Sequence, residues 1–115
     1  MTAFDDALAA LRAEAVRLLF DQLPPAIEYV SVEVDSGDLT LCQYTDAAGN
    51  YLYPDVDPAV VVGPLIEVSG PLLHAVHLLA EPHAELPDRV RDIHFLMARY
   101  RMGLTYVLRR PAPRT

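Results

Sequence analysis

Two histidines and a glutamate are spaced so that one helix could present them to a metal ion. His74 and His77 are three residues apart, and Glu81 follows four residues later. These spacings bring side chains to one helical face, and imidazole with carboxylate suits a divalent ion such as zinc. His83 could add a ligand from the following loop. The alternative is the polar face of an amphipathic helix, because a single His-x-x-His pattern is not specific for metal.

The chain offers little for nucleophilic catalysis. Cys42, the only cysteine, is predicted within a strand, away from the helix N-terminus or cation that activates a catalytic thiol. The three serines are predicted at a strand, a turn and a helix cap, and the five glycines are isolated rather than grouped in a phosphate loop. His94, beside Ile93 and Met97, is typical of a packed or hydrogen-bonded core histidine. We therefore expect no catalytic residues and no cofactor.

Tyrosines and aspartates are concentrated between residues 29 and 57. Tyrosine is favoured at protein interfaces because it joins an apolar ring to a polar tip. The alternative is that these tyrosines are simply good sheet formers and that the aspartates serve turns. We predict an acidic, aromatic face that binds a partner. Its residues are Tyr29, Asp38, Tyr44, Asp46, Tyr51, Tyr53 and Asp55.

The first element is a helix that ends before Pro24 and Pro25. Thr2 is a capping residue, and apolar residues then recur at steps of three and four. That stripe, which Leu19 and Phe20 widen, is Phe4, Leu8, Leu11, Ala15 and Leu18.

An antiparallel meander is predicted next, over residues 26–34, 39–44 and 51–53, with turns at 35–38 and 46–50. Val30, Val32 and Val34 should share one face. In the second strand, Leu39 and Leu41 should oppose a face that carries Thr40, Cys42 and Tyr44. Residues 55–70 are ambiguous, because a cap with a first-turn proline favours a helix while the valines favour a fourth strand near 65–68.

Two further helices, at 69–81 and from residue 86 onward, precede a strand at 104–109. The sequence thus predicts one α+β domain over residues 1–110 and a tail at 111–115: an N-terminal helix, an antiparallel meander of three to five strands, two further helices and a C-terminal strand. The first and third helices should cover one sheet face.

Charge is distributed unevenly along the chain, whose net charge is −7. Residues 1–88 carry two arginines against fifteen acidic residues, whereas residues 89–115 carry seven arginines against one aspartate. The acidic body disfavours nucleic-acid binding. Arg89, Arg91, Arg99 and Arg101 are expected to form the solvated face of a helix and to pair with the acidic sheet, and the alternative is a nucleic-acid contact through the arginines of 89–110. An acidic start, with no long uninterrupted apolar run, predicts a cytoplasmic protein without a membrane segment.

Part of the chain resembles a known class of small bacterial proteins. Leu23 and Pro24, then residues 27–34 and 49–54, resemble the opening of toxin-immunity proteins, over about half of the chain. Type III secretion chaperones, which are small, acidic and helix-first, are a similar comparison. Both resemblances imply a protein that acts by binding another protein.

The sequence therefore predicts a small acidic cytoplasmic partner-binding protein, working as an immunity protein, inhibitor, or chaperone or adaptor, through a sheet face. The partner is expected to be basic. A homodimer through the spare sheet face or the third helix is also expected. The alternative function is a metal-binding protein or metal-dependent enzyme using His74, His77 and Glu81.

Overall fold

The computed structural model describes residues 3–35, 38–69, 85–96 and 104–112. The predicted α+β class is confirmed. The predicted helix at 69–81 lies outside the described residues, apart from Ser69. In chain order the elements are α1 (Ala3–Asp21), β1 (Tyr29–Asp35), β2 (Asp38–Thr45), α2 (Pro58–Val61), α3 (Gly63–Ser69), α4 (Asp88–Leu96) and β3 (Leu104–Arg109).

The three strands form an antiparallel sheet in the order β2-β1-β3, so β1 is central. The predicted third strand at 51–53 is wrong, because Tyr51 makes only an isolated bridge to Thr45. Pro54 follows two residues later and has no N–H to extend such a ladder. The other side of β1 is instead paired with β3 from Tyr29 to Val34.

A β-bulge changes which face the end of β2 presents. Ser31 pairs with Gln43 and Val32 with Leu41, which leaves Cys42 as an extra residue. One extra residue moves every later side chain to the opposite face. Tyr44 therefore packs against the same core as Leu41, and the prediction that it opposes Leu41 is wrong.

The larger core lies between one sheet face and helices α1, α2 and α3. Val30, Val32 and Val34 all point into it, as their alternation predicts. From α1 it receives Val16, Leu19 and Phe20. The predicted stripe on α1 is partly wrong, because Leu11 and Leu18 are exposed. The helix is rotated so that its apolar residues at 16, 19 and 20 point into this core, which Leu23 joins just after the helix ends.

Residues 58–61 and 63–69 are helical, so of the two alternatives for residues 55–70 the helix is correct and the strand near 65–68 is not formed. The Asp57 carboxylate accepts a hydrogen bond from the Ala59 N–H at 3.0 Å, and Pro58 occupies the first turn. These are helix-start signals. Val61 and Leu65, four residues apart, are then both buried in the larger core, which outweighs the strand preference of valine.

A smaller core lies on the other sheet face, beneath α4. It contains Tyr29 and Val107 from the sheet with Leu86 and Val90 from the α4 region. The first and third predicted helices, α1 and α4, therefore cover opposite faces rather than one, because Tyr29 and Val107 give the second face an apolar patch for α4 to cover. No helix in the described part of the chain is long and apolar enough to cross a membrane.

Candidate functional site

The turn after β2 is closed by the Asp46 side chain. Its carboxylate accepts hydrogen bonds from the backbone N–H groups of Ala48 and Asn50, at 3.0 and 2.9 Å, and from the Asn50 side chain at 3.1 Å. These bonds, led by the one from the Asn50 backbone, lower the pKa of Asp46. Asp46 therefore shapes the turn, and its ionised oxygens are largely occupied by it.

Gly49 lets this turn pass close to α4. Its φ is +88°, a backbone conformation that residues with a side chain rarely adopt. A Cβ there would lie 2.8 Å from Cγ of Arg89, and the Arg89 guanidinium donates to Oδ1 of Asn50 at 3.2 Å. Arg89 thus ties α4 to the turn and places a positive charge at its edge.

The chain from residue 51 to residue 57, called here the 51–57 segment, alternates between the core and the solvent. Leu52 and Val56 are half-buried against the larger core, and the Leu52 N–H donates to the Tyr44 carbonyl at 3.0 Å. Between them, Tyr53 and Asp55 are exposed and Pro54 is half-buried, and the chain bends at Asp55, where the Val56 N–H donates to the Pro54 carbonyl at 3.0 Å. The outward row is Tyr51, Tyr53, Asp55 and Asp57.

The two tyrosines of this row form an exposed aromatic pair. Tyr53 is 88% exposed and Tyr51 is 42% exposed. Their ring centroids are 6.3 Å apart with an angle of 22° between the planes, an offset-stacked arrangement. Large exposed aromatic side chains in contact with one another are typical of binding surfaces.

Two carboxylates continue the row beyond the aromatic pair. Asp55 and Asp57 are both exposed. The Asp57 side chain caps α2 through Ala59, as described above, whereas Asp55 is the central residue of the turn that the Val56 N–H and the Pro54 carbonyl close. The 51–57 segment therefore presents stacked rings beside solvent-facing negative charge.

The other predicted face residues do not join this surface. Tyr29 is only 3% exposed and packs beneath α4. Tyr44 packs into the larger core on the opposite side of the sheet, and its hydroxyl is buried; this burial raises the pKa of Tyr44. The prediction of one face carrying four tyrosines is wrong, because the sheet separates them. The side chain of Asp38 lies outside the described residues.

His94 is a core histidine, as predicted. It is 1% exposed, and its Nε2 lies 2.9 Å from the Thr45 hydroxyl oxygen. Its ring centroid lies 6.5 Å from that of Tyr29. Burial lowers the pKa of His94 to about 4, so the ring is neutral at pH 7. The side chain thus links α4 to the end of β2 just before the turn.

The predicted metal ligands His74, His77 and Glu81 lie outside the described residues, as does His83. Within the part of the chain that the structure describes, no three His, Cys, Asp or Glu side chains are grouped to hold a metal ion. The metal site therefore stays a prediction from the sequence.

A second surface feature lies between α1 and α3. It is a cavity of about 350 Å³ lined by Leu11, Ala15, Leu18, Pro64 and two glutamates. One of them, Glu14, already forms an ion pair with Arg17. The lining is otherwise apolar, and none of the residues that line the cavity is a histidine, cysteine or serine that could act together with a carboxylate.

Arg89 borders this surface and was not among the residues predicted for it, whereas Asp57 is the last residue of the surface and is one of the aspartates concentrated between residues 29 and 57. The signal for Asp57 was present, because residues 51–57 alternate between polar or aromatic and apolar types. Arg89 is 39 residues from Asn50 in sequence, and no local pattern connects them.

No family model matches the chain, and neither the curated proteins nor the solved structures include one with significant similarity to it. The resemblance to toxin-immunity proteins and secretion chaperones therefore rests on the sequence pattern alone.

Proposed function

We propose that this protein acts by binding another protein, with the 51–57 segment as the contact surface. The single observation that carries this proposal is the stacked, solvent-exposed pair of Tyr51 and Tyr53. Tyrosine is enriched among the residues that dominate binding energy, because it buries much area while losing little conformational freedom.

The partner we propose is basic. The outward row continues from the tyrosines into Asp55 and Asp57, and the chain has a net charge of −7. An acidic surface attracts a cationic partner over several ångströms and speeds association. An immunity protein, an inhibitor or a chaperone in the cytoplasm would each use such a surface.

The contact surface differs from the one that the sequence predicts. Both sheet faces have helices packed on them in the described structure. We therefore expect a partner to contact the 51–57 segment rather than a sheet face. For the same reason, no sheet face is left open for a homodimer in the described structure. A homodimer through the third predicted helix, α4, stays a prediction.

The test is capture of partners from the native host by the wild type and by a Tyr51→Ala, Tyr53→Ala variant. We expect a protein that the wild type retains and the variant loses. Leu104→Ala is the matched control, since Leu104 is an exposed apolar residue on β3. Loss of two exposed rings should change the free energy of unfolding by less than about 1 kcal/mol.

Identical partners for wild type and double variant would overturn the assignment of the 51–57 segment. Equal loss in the Leu104→Ala control would mean that the effect is not specific to the aromatic pair. Raising the salt concentration should weaken capture of the true partner, because screening removes the attraction between exposed charges.

A further inference from the structure

We propose that the 51–57 segment recognises the guanidinium group of arginine side chains in its partner. This inference rests on the proposed function and adds the chemical group that the surface selects. Tyr53 supplies an open ring face, and Asp55 supplies a carboxylate in the same outward row. A planar cation can stack on the ring and also donate hydrogen bonds to the carboxylate, so it fits both groups.

The spacing of the rings decides where the cation lies. A flat group between two rings needs about 7 Å between them, two contact distances of about 3.5 Å each. The centroids of Tyr51 and Tyr53 are only 6.3 Å apart. The guanidinium therefore stacks on the outer face of Tyr53, while Tyr51 supports that ring from behind.

Asp55 is placed to pair with a cation in that position. The chain bends at Asp55, where the Val56 N–H donates to the Pro54 carbonyl at 3.0 Å, and residues two apart in a chain are separated by about 7 Å at most. An arginine lying over Tyr53 therefore has the Asp55 carboxylate within reach of its N–H groups. Asp57, the next outward residue, adds negative charge although one of its oxygens caps α2.

Arginine fits this arrangement better than lysine. Guanidinium is planar and weakly hydrated, so it stacks on a ring and donates two parallel hydrogen bonds to a carboxylate. The lysine ammonium is compact and strongly hydrated, and it gains less from the ring face. The protein itself contains an arginine with both a ring and a carboxylate as neighbours: Arg109 lies 5.8 Å from the Tyr29 ring centroid and donates to Glu28 at 3.0 Å.

The protein's own Arg89 limits the direction of approach. It lies against the turn on the Asn50 side of the aromatic pair. Like charges repel, so a partner arginine should approach Tyr53 from the Asp55 side. Partner residues that reach the Asn50 side should be neutral or acidic.

The experiment compares three capped eight-residue peptides in which glycine alternates with arginine, lysine or uncharged citrulline. Binding is followed by NMR shifts of the tyrosine ring signals in the full-length protein at low salt. We expect the arginine peptide to bind about threefold to tenfold more tightly than the lysine peptide, from stacking and paired hydrogen bonds. The citrulline peptide should bind more weakly than either, because it lacks the charge.

Variants separate stacking from charge. Tyr53→Phe keeps a ring and should keep the preference for arginine, whereas Tyr53→Ala should abolish it. Asp55→Asn should weaken the binding of both charged peptides.

Equal affinity for arginine and lysine peptides, or a preference that survives in Tyr53→Ala, would overturn the proposal. If the two peptides bind equally but still shift the rings of Tyr51 and Tyr53, the proposed function stands and only the arginine preference fails. If neither peptide binds, the arginine preference also fails, while partner capture decides the proposed function independently.

Discussion

Single residues hold the candidate site to the rest of the fold. His94 joins α4 to Thr45, the last residue of β2. Gly49 gives the following turn a backbone conformation and a close approach to Arg89 that only glycine permits. Neither residue is part of the exposed surface, so their substitution tests positioning rather than binding.

Stability should fall as the pH is lowered from about 6.5 towards 4, in part because of His94. The pKa of His94 is about 4 in the folded protein and 6.5 as its ordinary value. Between these values the unfolded chain binds a proton that the folded protein does not, which favours unfolding. The difference corresponds to about 3 kcal/mol once the pH is below both values.

Urea unfolding of the wild type and His94→Leu at pH 7, 6 and 5 measures this effect. The variant should be less stable at pH 7, because the Thr45 hydroxyl loses its partner. The stability of the variant should then fall less steeply as the pH is lowered, because the variant lacks the histidine. The carboxylates titrate in both proteins, so their effect cancels in the comparison. Parallel pH profiles for the two proteins would contradict the assignment.

Gly49→Ala should destabilise the protein by about 1 to 3 kcal/mol. The new Cβ meets Cγ of Arg89 at 2.8 Å, and the φ of +88° is strained for alanine. Gly63→Ala is the matched control, since nothing lies within 4 Å of its Cβ position. Chemical denaturation should show the control as stable as the wild type or slightly more so. Equal stability of both variants would refute the steric argument.

At the scale of elements, Arg110 fastens the end of α1 to the strand β3. Its guanidinium donates to the carbonyls of Phe20, Leu23, Pro24 and Ile27, with distances from 2.7 to 3.5 Å. It also lies 5.1 Å from the Phe20 ring centroid. The Phe20 and Pro24 carbonyls also accept from the backbone N–H groups of Leu23 and Ile27, at 3.0 and 3.1 Å, so Arg110 adds to the bonds that close the chain after α1.

Arg110→Gln should therefore lower the free energy of unfolding by about 2 to 4 kcal/mol, as charge-assisted hydrogen bonds to partly buried carbonyls are lost. Arg110→Lys should recover only part of this loss, because an ammonium cannot match a planar fork of donors. Arg109→Gln is the control, and its exposed pairing with Glu28 predicts a change of about 1 kcal/mol or less. A loss no larger for Arg110→Gln than for Arg109→Gln, measured by chemical denaturation, would show that the four carbonyls do not depend on Arg110.

Local patterns were enough to predict part of these elements. The presence of α1 and β1 and the inward valines of β1 follow from periodicity and from the proline pair, although β1 begins at Tyr29 rather than at the predicted residue 26. The bulge at Cys42 could not be predicted, because it depends on how β2 registers against β1. Residues 58–69 carried conflicting signals, and burial of Val61 and Leu65 in the core decided for helices.

The candidate site was predictable only in part, for the same reason. Tyr51, Tyr53 and Asp55 were correctly expected at the surface, since they alternate with apolar residues. Tyr29 and Tyr44 were grouped with them because they are near in sequence. Their burial on opposite sides of the sheet depends on α4 and on the bulge, which are long-range features.

In the molecule as a whole, the described helices lie on both sides of a small sheet. The 51–57 segment follows the turn after β2. Acidic residues dominate the chain up to residue 88, so the segment lies within the acidic portion of the sequence. We therefore predict that the rate of association with a basic partner falls as ionic strength rises, measured over a series of salt concentrations.

Photo-crosslinking from the exposed aromatic pair in the native host tests most directly whether the 51–57 segment binds a partner protein. A photoreactive phenylalanine analogue at position 53 replaces a ring that is 88% exposed, and the same analogue at position 104 is the control. We predict a specific protein adduct from position 53 that position 104 does not give. No adduct from position 53, or the same adducts from both positions, would contradict the claim that the 51–57 segment binds the partner.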